Sequence, residues 1–219
     1  MEYEKLEEKI QNFYTYLTEN KREYLSLFFD LQMQIERWFT GELIKYINDR
    51  YFKMGIENRE VSPPNDKRKK VDLKIELNNE DYWIELKHIF VGCQRGNKFD
   101  LKPYFYNGDK SLNIANDIEK LGDIAEMLDK KIQKKFILVF LSANKSLDER
   151  CKSSNKNTEN YYIKDKNDLC CKIRRIFCDF SQKGNRFNGV KLLSYDYDPE
   201  YRFGYFLLET KKIAKNHLK

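Results

Sequence analysis

Glycine and proline are scarce in this chain, at nine and four among 219 residues. No proline and one glycine, Gly41, precede residue 55, so little in the first quarter would interrupt helix. Long apolar runs are missing too. The longest, Phe136-Ile-Leu-Val-Phe-Leu141, is strand-sized and far short of the ~20 residues of a membrane span. The opening M-E-Y-E-K-L-E-E-K-I is acidic and polar, unlike a secretory signal. Cysteines are few and odd in number (Cys93, Cys151, Cys170, Cys171 and Cys178), and none forms a C-x-x-C pair. A zinc site would have to gather ligands from distant segments, so reduced thiols in a cytoplasmic protein are the expectation. No internal repeat, zinc finger, recognition-helix signature or RNP-type aromatic pattern occurs, and no base preference is legible.

What is present suits one well-packed soluble domain. Hydrophobic residues make up 41%, charged residues 35% and aromatics 15%, with fifteen Tyr and fifteen Phe to build a core. Lys and Arg number 41 against 35 Asp and Glu, a net charge of +6. That mild basic excess is compatible with a polyanionic partner without requiring one.

Periodicity divides the chain. Tyr3, Leu6, Ile10, Phe13 and Leu17 recur at helical spacing, Asn20 offers a break, and a second helical pattern runs from about Leu25 to Ile47. Residues 55–70 form a loop through Pro63-Pro64 and Asn65-Asp66, with a basic run Lys67-Arg68-Lys69-Lys70. Two strands around a polar turn follow in residues 71–90, then a polar segment to residue 110. Residues 111–134 return to helical spacing, and Phe136–Leu141 reads as a strand buried on both faces. Residues 144–166 read as a loop. A helix through Leu169, Ile173, Ile176, Phe177 and Phe180 precedes two strands, Val190–Tyr197 and Phe203–Thr210, and a basic tail. The expected architecture is mixed α/β around one central sheet. Residues 1–24 would be an N-terminal helix, 25–210 the core and 211–219 the tail of a single domain.

The hairpin V-D-L-K-I-E-L-N-N-E-D-Y-W-I-E-L-K-H carries the chemistry. With Asn78–Asp81 as the turn, Leu77 faces Tyr82, Asp72 faces Lys87 and Lys74 faces Glu85. Alternation then puts Leu73, Ile75, Leu77, Tyr82, Ile84, Leu86 and His88 on one face. Asp72, Lys74, Glu76, Trp83, Glu85 and Lys87 take the other. One reading is an amphipathic hairpin with its polar face in water and an Asp72–Lys87 ion pair contributing about 0.2–1 kcal/mol. The other starts from Ile89, Phe90 and Val91, which extend the second strand and make it central, where charges are costly unless paired or metal-bound. Two carboxylates beside one ammonium suit Mg²⁺, which takes one or two carboxylates and leaves room for water and phosphate oxygens. His88, on the apolar face, reads as a hydrogen-bonded core residue.

Asp72 followed by Glu85-Leu86-Lys87, on a hairpin preceded by a helix, resembles the core motif of the PD-(D/E)XK restriction-endonuclease-like superfamily. Val71 stands where that motif has proline. The resemblance implies a restriction-endonuclease-like α/β core, a central mixed β-sheet flanked by helices, with an N-terminal helical extension. It also implies a Mg²⁺- or Mn²⁺-dependent nuclease hydrolysing phosphodiesters, DNA favoured over RNA, in restriction, repair or defence. Asp72 and Glu85 would hold the metal, the Leu86 carbonyl would complete its shell, and Lys87 would handle the nucleophilic water. Such nucleases often add an acidic residue from the helix before the hairpin. Glu42 falls inside the apolar stripe of Leu31, Ile35, Trp38, Phe39 and Tyr46 and ranks first, while Glu36 lies about 80° from its centre. Asn116-Asp-Ile-Glu-Lys-Leu121 resembles a D-I-x-K-L pattern in the helix after E-x-K of some members. Asp117 and Lys120 would then approach the site or the nucleic acid, or else form a surface i,i+3 pair.

Lys67, Arg68, Lys69 and Lys70, directly before Asp72, are the best candidates for phosphate contacts, with Lys120 beside them. Arg95 and Lys98, and Lys172, Arg174 and Arg175, are further basic candidates. A homodimer or a partner protein of a defence system is compatible with the resemblance, and no membrane contact is expected. Two rivals stand beside the nuclease. One is a non-cutting nucleic-acid-binding or scaffold protein on the same fold. The other is an unrelated α/β interaction protein whose hairpin charges are incidental.

Overall fold

In a computed structural model of the chain, residues 5–31, 33, 35–51, 59–64, 66–77, 79–91, 101, 104–105, 114–143, 163–181 and 189–211 are described. Three helices come first: α1 (Leu6–Asn20), α2 (Arg22–Asp30) and α3 (Glu36–Arg50). Strands β1 (Arg59–Val61), β2 (Val71–Leu77) and β3 (Glu80–Val91) follow, then α4 (Ile114–Gly122). Strands β4 (Met127–Leu128) and β5 (Lys131–Ala143), helix α5 (Lys166–Ser181), and strands β6 (Val190–Asp198) and β7 (Phe203–Thr210) complete the order. The strands form one mixed sheet ordered β1-β2-β3-β5-β7-β6, with β4 pairing onto β5. Among the described strands only β3 and β5 run parallel, in continuous register from Glu80↔Ile132 to Val91↔Ala143. The α/β sheet flanked by helices is as the sequence reads.

Alternation along the strands explains the layers. Leu73, Ile75, Tyr82, Ile84, Leu86, Phe136, Leu138, Phe140, Phe203, Tyr205 and Leu207 point one way and pack with α1–α3. Trp83, Ile89, Ile137, Val139, Leu141, Phe206 and Leu208 point the other way and pack with α4 and α5. The run Phe136–Leu141 is therefore buried on both sides, as its composition predicts. Phe39 stacks 4.2 Å from Phe140 at the centre of the first layer, and α1 adds Tyr14, whose hydroxyl donates to the Phe203 carbonyl at 2.9 Å.

Three expectations change. The helical pattern 25–47 is two helices, because Phe29 and Phe39 both lie 5.6 Å from the ring of Phe203. In a straight helix those residues would be about 15 Å apart, so the chain folds back between them. This places the boundary drawn at residue 24 inside α2. The helical pattern 111–134 ends at Gly122, and Lys131–Lys135 extend β5 instead. Those five residues look too polar for a central strand, yet Gln133 and Lys135 are buried with partners: Gln133 accepts from Trp83 Nε1 at 2.7 Å, and Lys135 Nζ donates to the Ile124 carbonyl. Finally, β2 and β3 pair as Leu73↔Ile84, Ile75↔Tyr82 and Leu77↔Glu80, two residues from the expected register. Asn79, at φ +62°, lets only two residues join the strands; asparagine tolerates that left-handed conformation. Lys74 thus faces Trp83 rather than Glu85, and extending the same register sets Asp72 opposite Glu85 rather than Lys87. A shift of two leaves every side chain on its expected face.

Candidate active site

Strand β3 outruns β2. The pairing of the two strands runs from Leu77↔Glu80 to Leu73↔Ile84, while β3 continues beside β5 to Val91. On the edge where β2 gives out, alternate amides of β3 are met by carboxylates. The Leu86 N–H donates to Asp72 Oδ2 at 2.8 Å, and the His88 N–H donates to Glu36 Oε2 at 3.2 Å. Buried amides need such partners, and this requirement draws the first residue of α3 to the hairpin.

The side chains of Glu85 and Lys87 project toward α4. Glu85 is 1% exposed, and its Oε1 lies 2.5 Å from Lys120 Nζ. Lys87 Nζ sits 3.4 Å from Asp117 Oδ2, and Lys120 Nζ is 3.7 Å from Asp117 Oδ1. Glu85 Oε1 and Asp117 Oδ2 are buried, and the ammonium groups of Lys120 and Lys87 are their ionic partners. The spacing of Asp117 and Lys120 places both on the sheet-facing side of α4, where they form the i,i+3 pair with Asp117 buried rather than on the surface.

Four carboxylates (Asp72, Glu85, Glu36 and Asp117) thus surround two ammonium groups. The electrostatics follow. Burial, then the neighbouring Asp72 charge, pushes the Glu85 carboxyl up to about 8. Burial also raises Glu36 and Asp117, each against the opposing pull of Lys87. For Lys87, burial works against the charge, but Asp117, Glu36, Glu85 and Asp72 together hold it above the usual lysine range. An excess of buried negative charge is an arrangement that a cation stabilises.

Comparison of the chain with family models, curated proteins and solved structures finds no match. The cluster is therefore read on its own chemistry.

The structure brings Asp72, Glu85, Lys87, Glu36 and Lys120 together, with Asp117 joining them. It places Glu42 elsewhere. Six residues further along α3, Glu42 Oε1 pairs at 3.5 Å with Lys21, at the junction of α1 and α2, while its Oε2 is buried without a hydrogen-bond partner among the described residues. Leu86 supplies its amide to Asp72 and its side chain to the core. His88 is hydrogen-bonded as read, its Nε2 2.6 Å from Ser142 Oγ, but it is half-buried rather than a core residue. In the basic run, Lys67 and Lys70 are exposed, Arg68 binds Asp66, and Lys69 meets Asp123 at 2.5 Å. Lys120 also donates to the Lys70 carbonyl at 2.8 Å, tying that run to the cluster. Lys172 is engaged by Asp168, Arg174 and Arg175 are exposed, and Arg95 and Lys98 lie outside the described residues. Sequence reasoning missed the adjoining buried network of Asp81, Gln133 and Trp83, because Gln133 fell within a segment read as helix.

Among the described residues, no three acidic, cysteine or histidine side chains already converge as a closed metal cage, and no helix is long and apolar enough to cross a membrane. An open Mg²⁺ site needs only one or two carboxylates, with its remaining ligands from water and substrate, and Asp72 and Glu85 are the candidates for it.

Proposed function

We propose that this chain is a metal-dependent nuclease of the restriction-endonuclease-like kind that hydrolyses phosphodiester bonds, with DNA as its favoured substrate. The observation that carries the reading is the gathering of Asp72, Glu85 and Lys87 with Glu36 around the open edge of β3. A helix before the hairpin and the D-I-x-K-L helix after it both contribute to the same cluster, which chance occurrence of a D-x(n)-E-x-K string does not require.

In this reading Asp72 and Glu85 hold Mg²⁺ or Mn²⁺, which when bound supplies Lewis-acid stabilisation of the phosphate. Asp72 is oriented for this by the Leu86 amide. Lys87, kept charged by its carboxylate neighbours, lies beside the reacting phosphate and stabilises the negative charge that builds on it. Glu36 holds β3 at His88 by accepting its N–H and faces the same lysine. A water oxygen attacks phosphorus, the bond to the leaving nucleoside oxygen breaks, and the proton lost by the water ends on solvent or on that oxygen. The exposed Lys67 and Lys70 stand where the strand would enter.

One observation favours the non-cutting alternative: Lys120 sits on the Glu85 oxygen that a metal would take. The test is cleavage of single- and double-stranded DNA and RNA with Mg²⁺ or Mn²⁺, beside Lys87→Ala and Asp72→Ala variants checked for folding. Cutting that needs the metal and is lost in both variants supports the nuclease. Binding without cutting supports the alternative, and neither activity overturns both.

A further inference from the structure

Lys120 has three partners among the described residues, and they differ in kind. Its ammonium contacts Glu85 Oε1 at 2.5 Å, donates to the Lys70 carbonyl at 2.8 Å and lies 3.7 Å from Asp117 Oδ1. Glu85 is almost fully buried, and the lysine ammonium is the positive charge held against its oxygen. A divalent ion on Glu85 would make that counter-charge redundant and repel it at close range. The ammonium cannot stay where it is. Asp117 offers limited shelter, because its other oxygen already faces Lys87 at 3.4 Å. The lysine side chain is 20% exposed and anchored at Lys70, the end of the basic run, so the open direction leads to the mouth of the site.

We propose that Lys120 is an exchangeable cation: without a divalent ion it rests on Glu85, and when the ion binds it is released to a phosphate of the nucleic-acid strand. The inference rests on the metal-site reading and adds a regulation to it. Metal and nucleic acid then bind with positive coupling, because the ion frees a phosphate-binding group that the empty site keeps occupied. The Lys120–Glu85 contact becomes the resting state of a working site rather than the mark of a dead one.

Salt dependence reads this directly, since each phosphate contact to duplex DNA adds about 0.9 to the slope of log affinity against log salt. The probe is a fluorescent DNA duplex, bound by Lys87→Met protein in which it stays intact, with and without Lys120→Met, in Mn²⁺ or in chelator. In chelator the two proteins are expected to share one slope. In Mn²⁺ the Lys120 protein is expected to be steeper by about one, and its affinity gain from Mn²⁺ several-fold larger. Equal slopes in both conditions overturn the proposal, as does a difference of about one that persists in chelator, which would make Lys120 a permanent phosphate contact. Lys120→Arg, which keeps the charge, is expected to retain the Mn²⁺-dependent slope; its loss there would trace the effect to packing and also overturn the proposal. A direct Mn²⁺ titration separates the two levels. Mn²⁺ bound through Asp72 with no change in slope sinks the exchange alone, whereas no Mn²⁺ binding sinks the metal-site reading beneath it.

Discussion

Replacing Glu85 by glutamine should stabilise the metal-free protein, and more so as the pH rises. Glu85 is 1% exposed, and burial together with the Asp72 charge lifts its carboxyl from 4.5 to about 8. The unfolded chain releases that proton near 4.5, while the folded protein keeps it until about 8. Between those values the folded state binds more protons, so stability is full below 4.5 and is lost as the pH climbs to 8, at ~1.4 kcal/mol per pH unit. By pH 7 the loss reaches roughly 3 kcal/mol. Glutamine has the same shape and no charge to bury. In a chain of this size such a difference corresponds to a Tm higher by about 6–12 °C. Thermal unfolding followed by circular dichroism at pH 5, 6, 7 and 8 in chelator measures it. The advantage of Glu85→Gln should be small at pH 5 and grow steadily to pH 8. An advantage that is constant, or that shrinks with rising pH, would refute the argument that Glu85 is a buried carboxyl short of positive charge. Mg²⁺ should raise the Tm of the parent at pH 8 and leave the variant unmoved.

Other outcomes follow from neighbouring features. His88 is held down to about 4 by burial, so its contribution is full above 6.5 and lost as the pH falls toward 4; His88→Gln should remove that acid-side loss from melting curves. The His88 and Glu85 slopes oppose each other between 4.5 and 6.5, and each variant should expose the other's slope. Glu36→Gln should lower cleavage at least tenfold, whereas Glu42→Gln should leave it intact and cost under about 1 kcal/mol of stability through its partly exposed pair with Lys21. Phe39→Ala, which empties the stack on Phe140 and Phe203, should cost about 3–5 kcal/mol in urea unfolding.

The parts of the fold that were legible are those in which one period dominates. The helix through Leu169 and Ile173, the doubly buried Phe136–Leu141 and the face separation of the hairpin each follow from spacing alone. What escaped depends on partners distant in sequence. The break before α3 exists because two phenylalanines ten residues apart share Phe203. Lys131–Lys135 are strand because β3 offers Trp83 and Asp81 to the polar residues there. In the site, Asp72, Glu85 and Lys87 could be read from the hairpin, since parity survives an error of two in register. The ranking of Glu42 over Glu36 could not, because it weighed helical angle without knowing that Lys21, between α1 and α2, lies beside Glu42 or that β3 leaves the His88 amide in need of an acceptor.

The parallel pairing of β3 with β5 also bears on how the chain acquires its structure. Each pair in that ladder joins residues 52 apart, as Glu80↔Ile132 shows, whereas the β2–β3 hairpin closes across two residues. Loop-closure entropy makes the hairpin the quick event and the crossover the slow one. Asp72 and Glu85 therefore meet early, but Asp117 and Lys120 reach them only after α4 has docked with the arrival of β5. Until that late step the hairpin's acidic pair has no counter-ion from α4, and an incompletely synthesised chain ending before residue 131 carries the motif without the assembled cluster.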